Sequence, residues 1–206
     1  MPMVTKSRRS LSSAPQVVRI IGGQWRRTQL PVADKPGLRP TPDRVRETLF
    51  NWLGQDLHGW RCVDAFAGSG ALGFEAASRG ASEVLMIERD PSLVAQLHAL
   101  KERLHADAIR VQRGDGVAGL NAYARAGADL IFLDPPFDDD LFQPALNAAA
   151  LAIQPDGWVY LEAPYQMGAE DLSQAGWSLY RHLKAGAVHA HLLRRAIIAP
   201  DSQATA

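Results

Sequence analysis

The chain is short of several things that other proteins lean on. It has a single cysteine, Cys62, so no internal disulfide can brace it. Set beside Val63 at the start of an apolar segment, Cys62 reads as a small buried hydrophobe and not as a reactive thiol. No stretch approaches the roughly 18 apolar residues of a membrane span. The opening stretch MPMVTKSRRSLSSAP has cations but no apolar segment, which argues against a secretory signal. It is Arg- and Ser-rich without acids, as some transit peptides are, but reads more simply as a disordered basic tail. The expected compartment is a reducing cytoplasm. Metal-ligand spacing is also missing. His98 and His105 share one face of an expected helix, and His182, His189 and His191 fall in the final strands, so no metal is expected. What is present is a chain of 206 residues, 47% hydrophobic, enough for the core of one large domain.

Net charge is lacking too, but the zero hides an asymmetry. Residues 1–61 carry 11 Lys+Arg and 4 Asp+Glu, a net of +7, and the remainder is −7. A basic start on an acidic body points to a polyanion, nucleic acid first, held by the N-terminal third.

Four regions follow from the patterning. Residues 1–16 read as a basic tail and 197–206 as a second flexible tail. Residues 17–58 read as a hairpin and a helix. VVRIIGGQWRRTQLPV suggests two short strands around Gly22-Gly23, and Thr41 and Pro42 fit an N-cap and first helical position. Val45, Leu49, Trp52 and Leu53 share one face of that helix, which Gly54 ends. Residues 59–196 begin with five strands alternating with four helices, with apolar strand centres that lack a period of two. That is the signature of a parallel, doubly wound α/β sheet covered on both faces. Two closing strand-like runs meet at Ala185-Gly186.

The first strand of this region runs into DAFAGSGALG. Gly68, Gly70 and Gly73 satisfy G-x-G-x-x-G between a strand and a helix, where glycine lets the backbone approach a ligand and the helix N-terminus offers N–H groups. Glu88 ends the next strand, placed for ribose hydroxyls. Dinucleotides and S-adenosylmethionine (SAM) both suit this arrangement. Asp64 separates them: a carboxylate is unwelcome beside a pyrophosphate but helps beside an ammonium and a sulfonium. Asp115 can accept from an adenine amino group, or simply form a turn before Gly116. Phe66, Arg89 and Gly116 adjoin these residues and belong with the cofactor set.

The segment LIFLDPPFDDD ends the fourth strand. The carboxyl edge of an α/β sheet is where ligands bind, so Asp134, Pro135, Pro136 and Phe137 should face the glycine loop. A planar exocyclic amine is a weak nucleophile because its lone pair is delocalised. Asp134 and a backbone carbonyl could accept from its two N–H groups and favour the pyramidal form. The prolines fix the turn without competing N–H groups, and Phe137 offers a stacking face for a flipped base. Asp134 thereby doubles as a cofactor-side and a catalytic residue, while Asp138, Asp139 and Asp140 read as a solvated helix entry.

RIIGGQWR, LRPTPDRVRETLFNWL, VDAFAGSGALGFEAASRGA and LDPPF, in that order, resemble the RsmD-type methyltransferases, over residues 17–195. The resemblance implies a Rossmann-like SAM-dependent fold, a seven-stranded sheet with its last strand antiparallel, and a small N-terminal β-hairpin. It implies methylation of the exocyclic N2 of a guanine in 16S ribosomal RNA. Asp64, Gly68, Gly70, Glu88 and Asp115 match cofactor positions, and Asp134 to Phe137 the catalytic turn. Arg39, Thr41 and Arg44 match the segment that closes over the site. With Arg46 on the following helix, and Arg19, Trp25, Arg26 and Arg27 on the hairpin, these are the expected RNA contacts. The expected partner is ribosomal RNA within the small subunit or an assembly intermediate, with no membrane, and a monomer at work. A DNA amino-methyltransferase and a catalytically silent RNA-binding module stay as alternatives. A protein glutamine methyltransferase would carry Asn where Asp134 stands.

Overall fold

The computed structural model describes residues 17–33, 35, 41–137 and 140–196. The expected tails at 1–16 and 197–206, Arg39, and Asp138 and Asp139 lie outside the described residues.

β1 (Val17–Arg19) and β2 (Gln29–Pro31) pair antiparallel as a small separate sheet, and α1 (Asp43–Leu53) follows. β3 (Arg61–Asp64), α2 (Ala71–Ser78), β4 (Glu83–Glu88), α3 (Pro91–Leu104) and β5 (Ile109–Arg113) then run in alternation. α4 (Gly116–Ala122), β6 (Ala128–Leu133), α5 (Phe142–Ala152) and β7 (Ile153–Ala163) continue the pattern. α6 (Ala169–Gln174), β8 (Trp177–Ala185) and β9 (Val188–Arg195) close the chain. The large sheet has seven strands in the order β5-β4-β3-β6-β7-β9-β8, all parallel except β9, which runs antiparallel to both neighbours.

The strand centres are continuous apolar runs because both faces are covered. Cys62, Leu130, Phe132 and Tyr160 point into a core shared with Leu49, Phe50, Phe74 and Leu97 of α1, α2 and α3. Val63, Ile131, Leu133 and Leu161 point the other way, onto Leu120 of α4 and the alanine-rich α5. Small α5 residues such as Ala145 and Ala149 let that helix lie close to the sheet. Each fully buried Leu or Phe contributes about 1.5–3 kcal/mol of transfer free energy. Cys62 is buried, and burial pushes its thiol well above the usual range, as an inert packing residue requires.

Local chemistry sets the helix ends. Asp90 caps α3, accepting from Ser92 N at 2.8 Å and Leu93 N at 3.1 Å, with Pro91 as first helical residue. The expected Thr41 cap on α1 is not made: Pro42 is the N-cap, no side chain caps the helix, and the Thr41 hydroxyl donates elsewhere. Gly54 at φ 93° ends α1 as expected. α4 stops at Ala122, short of the expected run, because Arg125 turns the chain at φ 68°. α6 has no counterpart in the expected elements: its six residues bury little beyond Leu172.

Gly22-Gly23 does not form a tight hairpin turn. The nine residues between β1 and β2 lie on α2 instead. Ile21 N and Gly22 N each donate to Glu75 at 2.8 Å, and Gln24 N donates to Ser78 O at 2.8 Å. A Cβ on Gly23 would sit 1.7 Å from Ser78 O, so this close approach requires glycine. Glu75 is fully buried and also pairs with Arg46 at 3.2 Å and Arg79 at 2.8 Å. Arg46 is therefore no RNA contact. It is fully buried, its guanidinium also bonded to Asp43, to Arg19 O and to Thr41 O.

Candidate active site

Strand ends build the site. β3 and β6 are adjacent at the point where the chain order reverses, the place where an open α/β sheet binds ligands. Beyond their carboxyl ends lies a cleft of about 450 Å³, in the range of small-molecule sites. Acids from five successive strand ends border it: Asp115 after β5, Glu88 of β4, Asp64 of β3, Asp134 after β6 and Glu162 of β7.

The glycine loop is held by backbone bonds from both sides. Ala65 N donates to Phe132 O at 3.1 Å and Ala67 N to Ile87 O at 2.9 Å. Gly68, at φ 51°, donates its N–H to Glu88 Oε2 at 2.8 Å, and Asp90 N donates to Glu88 Oε1 at 2.8 Å. Glu88 is thus oriented, and a carboxylate has about four lone-pair sites, so it can still accept from vicinal hydroxyls. Gly70 does not line the cleft. At φ 81° it caps α2, and a Cβ there would come within 2.6 Å of Leu97 and 2.8 Å of Met86. Its part is packing, not ligand approach. Gly73 N donates to Asp64 Oδ2 at 3.0 Å.

Phe66 and Arg89 line the cleft, as do Asp115 and Gly116. One Asp115 oxygen caps α4 through Ala118 N at 2.8 Å, so the turn-forming role and the cleft position coexist. A Cβ on Gly116 would sit 2.2 Å from Ala65 O and 2.9 Å from the Phe66 ring, so only glycine leaves this wall in place. Lys35 reaches the cleft from the N-terminal segment and pairs with Asp90, whose carboxyl it holds far below the usual range.

Asp134, Pro135, Pro136 and Phe137 face the same cleft. Phe137 packs on Phe142 with centroids 6.3 Å apart, and Phe142 on Tyr165 at 6.1 Å. Tyr165 is half exposed, which extends an aromatic row outward from the Asp134–Phe137 turn. Burial raises the Asp64 carboxyl to about 7, with Glu88 and Glu162 adding to the rise against the Gly73 and Phe66 N–H groups. Burial, then Glu162 and Asp64, push Asp134 well above the usual carboxylate range. Asp64 is held by neutral N–H donors and each acid raises its neighbours, so the row is a buried concentration of negative charge that a cation would relieve.

Glu162 is the site residue that sequence reasoning misses. Its signal is an acid inside the apolar strand VYLEA, where a charge is costly without a purpose. Thr41 borders the cleft but is buried, its hydroxyl donating to Glu162 Oε1 at 2.6 Å, so it does not reach out to RNA. Arg19, Arg26, Arg27 and Arg44 are exposed, while Trp25 is half buried against the core and donates its backbone N–H to Ser78 Oγ at 3.0 Å. The His182, His189 and His191 rings gather on the opposite sheet face from Glu162, with centroids 5.0–6.5 Å apart. His191 Nδ1 donates to Leu161 O at 3.3 Å while Nε2 accepts from Met167 N at 3.1 Å, so burial keeps it neutral.

Residues 18–194 match the family described as Conserved hypothetical protein 95. The chain belongs to this family, the RsmD-type methyltransferases. It is 42% identical over 184 residues to ribosomal RNA small subunit methyltransferase D of Escherichia coli K12, covering 86% of this chain and 90% of that protein. The Haemophilus influenzae protein of the same name is 37% identical over 178 residues, covering 83% and 90%. Among solved structures, a putative methyltransferase of Escherichia coli superposes with a TM-score of 0.74 at 40% identity, covering 87% of this chain and 98% of that one. A putative methylase of Haemophilus influenzae superposes with a TM-score of 0.72 at 32% identity, covering 87% and 99%. Both solved structures thus share this fold over most of their length.

Proposed function

We propose that this chain methylates the exocyclic N2 amine of a guanine in small-subunit ribosomal RNA, using SAM. The observation that carries the reading is the acceptor turn Asp134–Phe137 opening onto the same cleft as Asp64 and Glu88. The names of the relatives in Escherichia coli and Haemophilus influenzae support the RNA substrate.

The residues fit SAM by their donor set. Asp64 is buried on neutral partners and would receive the ammonium, where a pyrophosphate would be repelled. Glu88 would take the ribose hydroxyls, and Asp115 and Phe66 the adenine. SAM supplies a methyl group on a positively charged sulfur that departs as a neutral thioether. Asp134 and the Pro135 carbonyl would accept from the two N–H groups of the target amine, localising its lone pair toward the methyl group. Phe137, steadied by Phe142, would stack on the flipped base. Exposed Arg19, Arg26, Arg27 and Arg44 would hold phosphates, and the reading places the substrate in the small subunit or an assembly intermediate.

The test is transfer of tritium from methyl-labelled SAM to undermethylated small subunits and to free 16S RNA, with mapping of the modified nucleotide. Label on guanine N2 is the expected result. Label on DNA adenine or cytosine instead, or none with any nucleic acid, would overturn the reading.

A further inference from the structure

Glu162 is placed by the sheet itself. Leu133 of β6 pairs with Leu161 of β7 in parallel register, so the next residues, Asp134 and Glu162, stand side by side at the edge of the cleft. Asp64 pairs with Phe132 one strand over, which completes a row of three carboxyls. Glu162 is buried, and one of its oxygens accepts both Thr41 Oγ1 at 2.6 Å and Tyr160 OH at 2.8 Å. Thr41 opens the segment entering α1, 121 residues away in sequence.

We propose that Glu162 is a positioning residue of the methyl-transfer site, whose fixed carboxylate makes Asp134 the proton acceptor and pins the Thr41 segment over the cleft. This rests on the methyltransferase reading. The amine lone pair forms the N–CH3 bond as the C–S bond breaks, with the bonding pair left on sulfur. The nitrogen, now cationic, sheds one proton. Asp134 receives it because a neighbouring negative charge raises its proton affinity. Burial raises the Glu162 carboxyl as well, but its partners oppose that rise, as they do not for Asp134. Two hydroxyls donate to it and the Arg46 guanidinium acts from behind, all favouring the ionised form against burial. Asp134 is the member of the pair that burial, Glu162 and Asp64 all push toward the protonated form.

The groups facing Glu162 come from four elements: Thr41 and Arg46 on the α1 side, Tyr160 on its own strand, Asp134 on β6 and Asp64 on β3. On β9 its partner is Ala190, and His189 and His191 on either side alternate to the opposite face.

Glu162→Gln keeps both hydroxyl bonds and removes the charge. Its methyl transfer should show an acid limb in kcat shifted to lower pH by about one unit or more. SAM affinity should fall less than in Asp64→Asn, since Glu162 acts on the cofactor's charge at a distance and not through a hydrogen bond. Tyr160→Phe, which removes one donor from Glu162, should move the limb the same way by less. A merely structural Glu162 would lower activity equally at every pH and leave the limb in place, and that result overturns the inference. Carbon-13 NMR of the side-chain carboxyls supplies a readout independent of turnover. The wild-type pair should titrate in two separated steps, and Asp134 should titrate lower in Glu162→Gln. An Asp134 titration unmoved by Glu162→Gln also overturns the inference. Where the wild type transfers no methyl to RNA, the function reading falls, and the NMR titration still decides this one.

Discussion

Two sets of buried acids occupy this molecule, and they are treated oppositely. Glu75, inside α2, meets two guanidinium groups and two backbone N–H groups, so its charge is neutralised within the fold. Asp64 and Glu162, at the carboxyl edge of the sheet, take their hydrogen bonds from neutral donors, and Asp134 stands beside Glu162 with no cation paired to it among the described residues. The first set joins the N-terminal loop, α1 and α2 into one body. The second holds negative charge in reserve for something that arrives carrying a positive one. A buried acid with its cation already present reads as structure, and a row of acids without one reads as a candidate site.

The largest expected effect breaks the first set. Glu75→Ala strands Arg46 and two backbone N–H groups, and should cost about 3–5 kcal/mol of stability, read as a lower denaturant midpoint. Asp134→Ala breaks the second set with a different signature. Turnover should fall roughly 10²–10³-fold, the scale of a lost transition-state partner, while SAM affinity by calorimetry stays close to wild type.

Asp64→Asn sharpens the contrast through pH. Because the folded protein binds this proton up to about pH 7 and the unfolded chain only to about pH 4, ligand-free stability should fall as pH rises between them and then level off. Asp64→Asn should flatten that slope and melt above wild type at pH 8. It should also weaken SAM binding by about 1.5–3 kcal/mol. In the wild type, SAM affinity should rise with pH up to about 7, with protons released on binding below it.

Phe137→Ala should cost about 1–3 kcal/mol in RNA affinity, on the scale of base–aromatic stacking, measured by filter binding. The smallest single-site effects belong to Arg19, Arg26 and Arg27. Replacing all three with Ala should flatten the slope of log K against log salt by about 0.7–0.9 for each phosphate left unneutralised, with SAM binding unchanged.

Much of this is legible in the chain alone. Unbroken apolar runs between helical periods lead to the doubly wound sheet, and the closing strands meet around Ala185-Gly186 as expected. The glycine loop, Glu88 and the Asp134–Phe137 turn each sit at the end of a strand that the pattern marks, and each does border the cleft. The misreadings share one cause. Arg46 reads as an RNA contact because cations usually face water. Yet it stands with Phe50 and Leu53 at helical spacing on the buried face of α1, and a distant acid, Glu75, makes that burial tolerable. Thr41 reads as a cap because Ser and Thr usually are, but its partner lies 121 residues on.

The sequence by itself determined the alternation of strands and helices and the turns that end them, because backbone propensity, period and proline or glycine constraints act over a few residues. Only the tertiary structure decided which charges are paired. Burial and opposite charge come from strands and helices brought together across the sheet. The spacing of Asp134 and Glu162, 28 residues apart in the chain and neighbours across two strands, cannot be read until the register of β6 on β7 sets it.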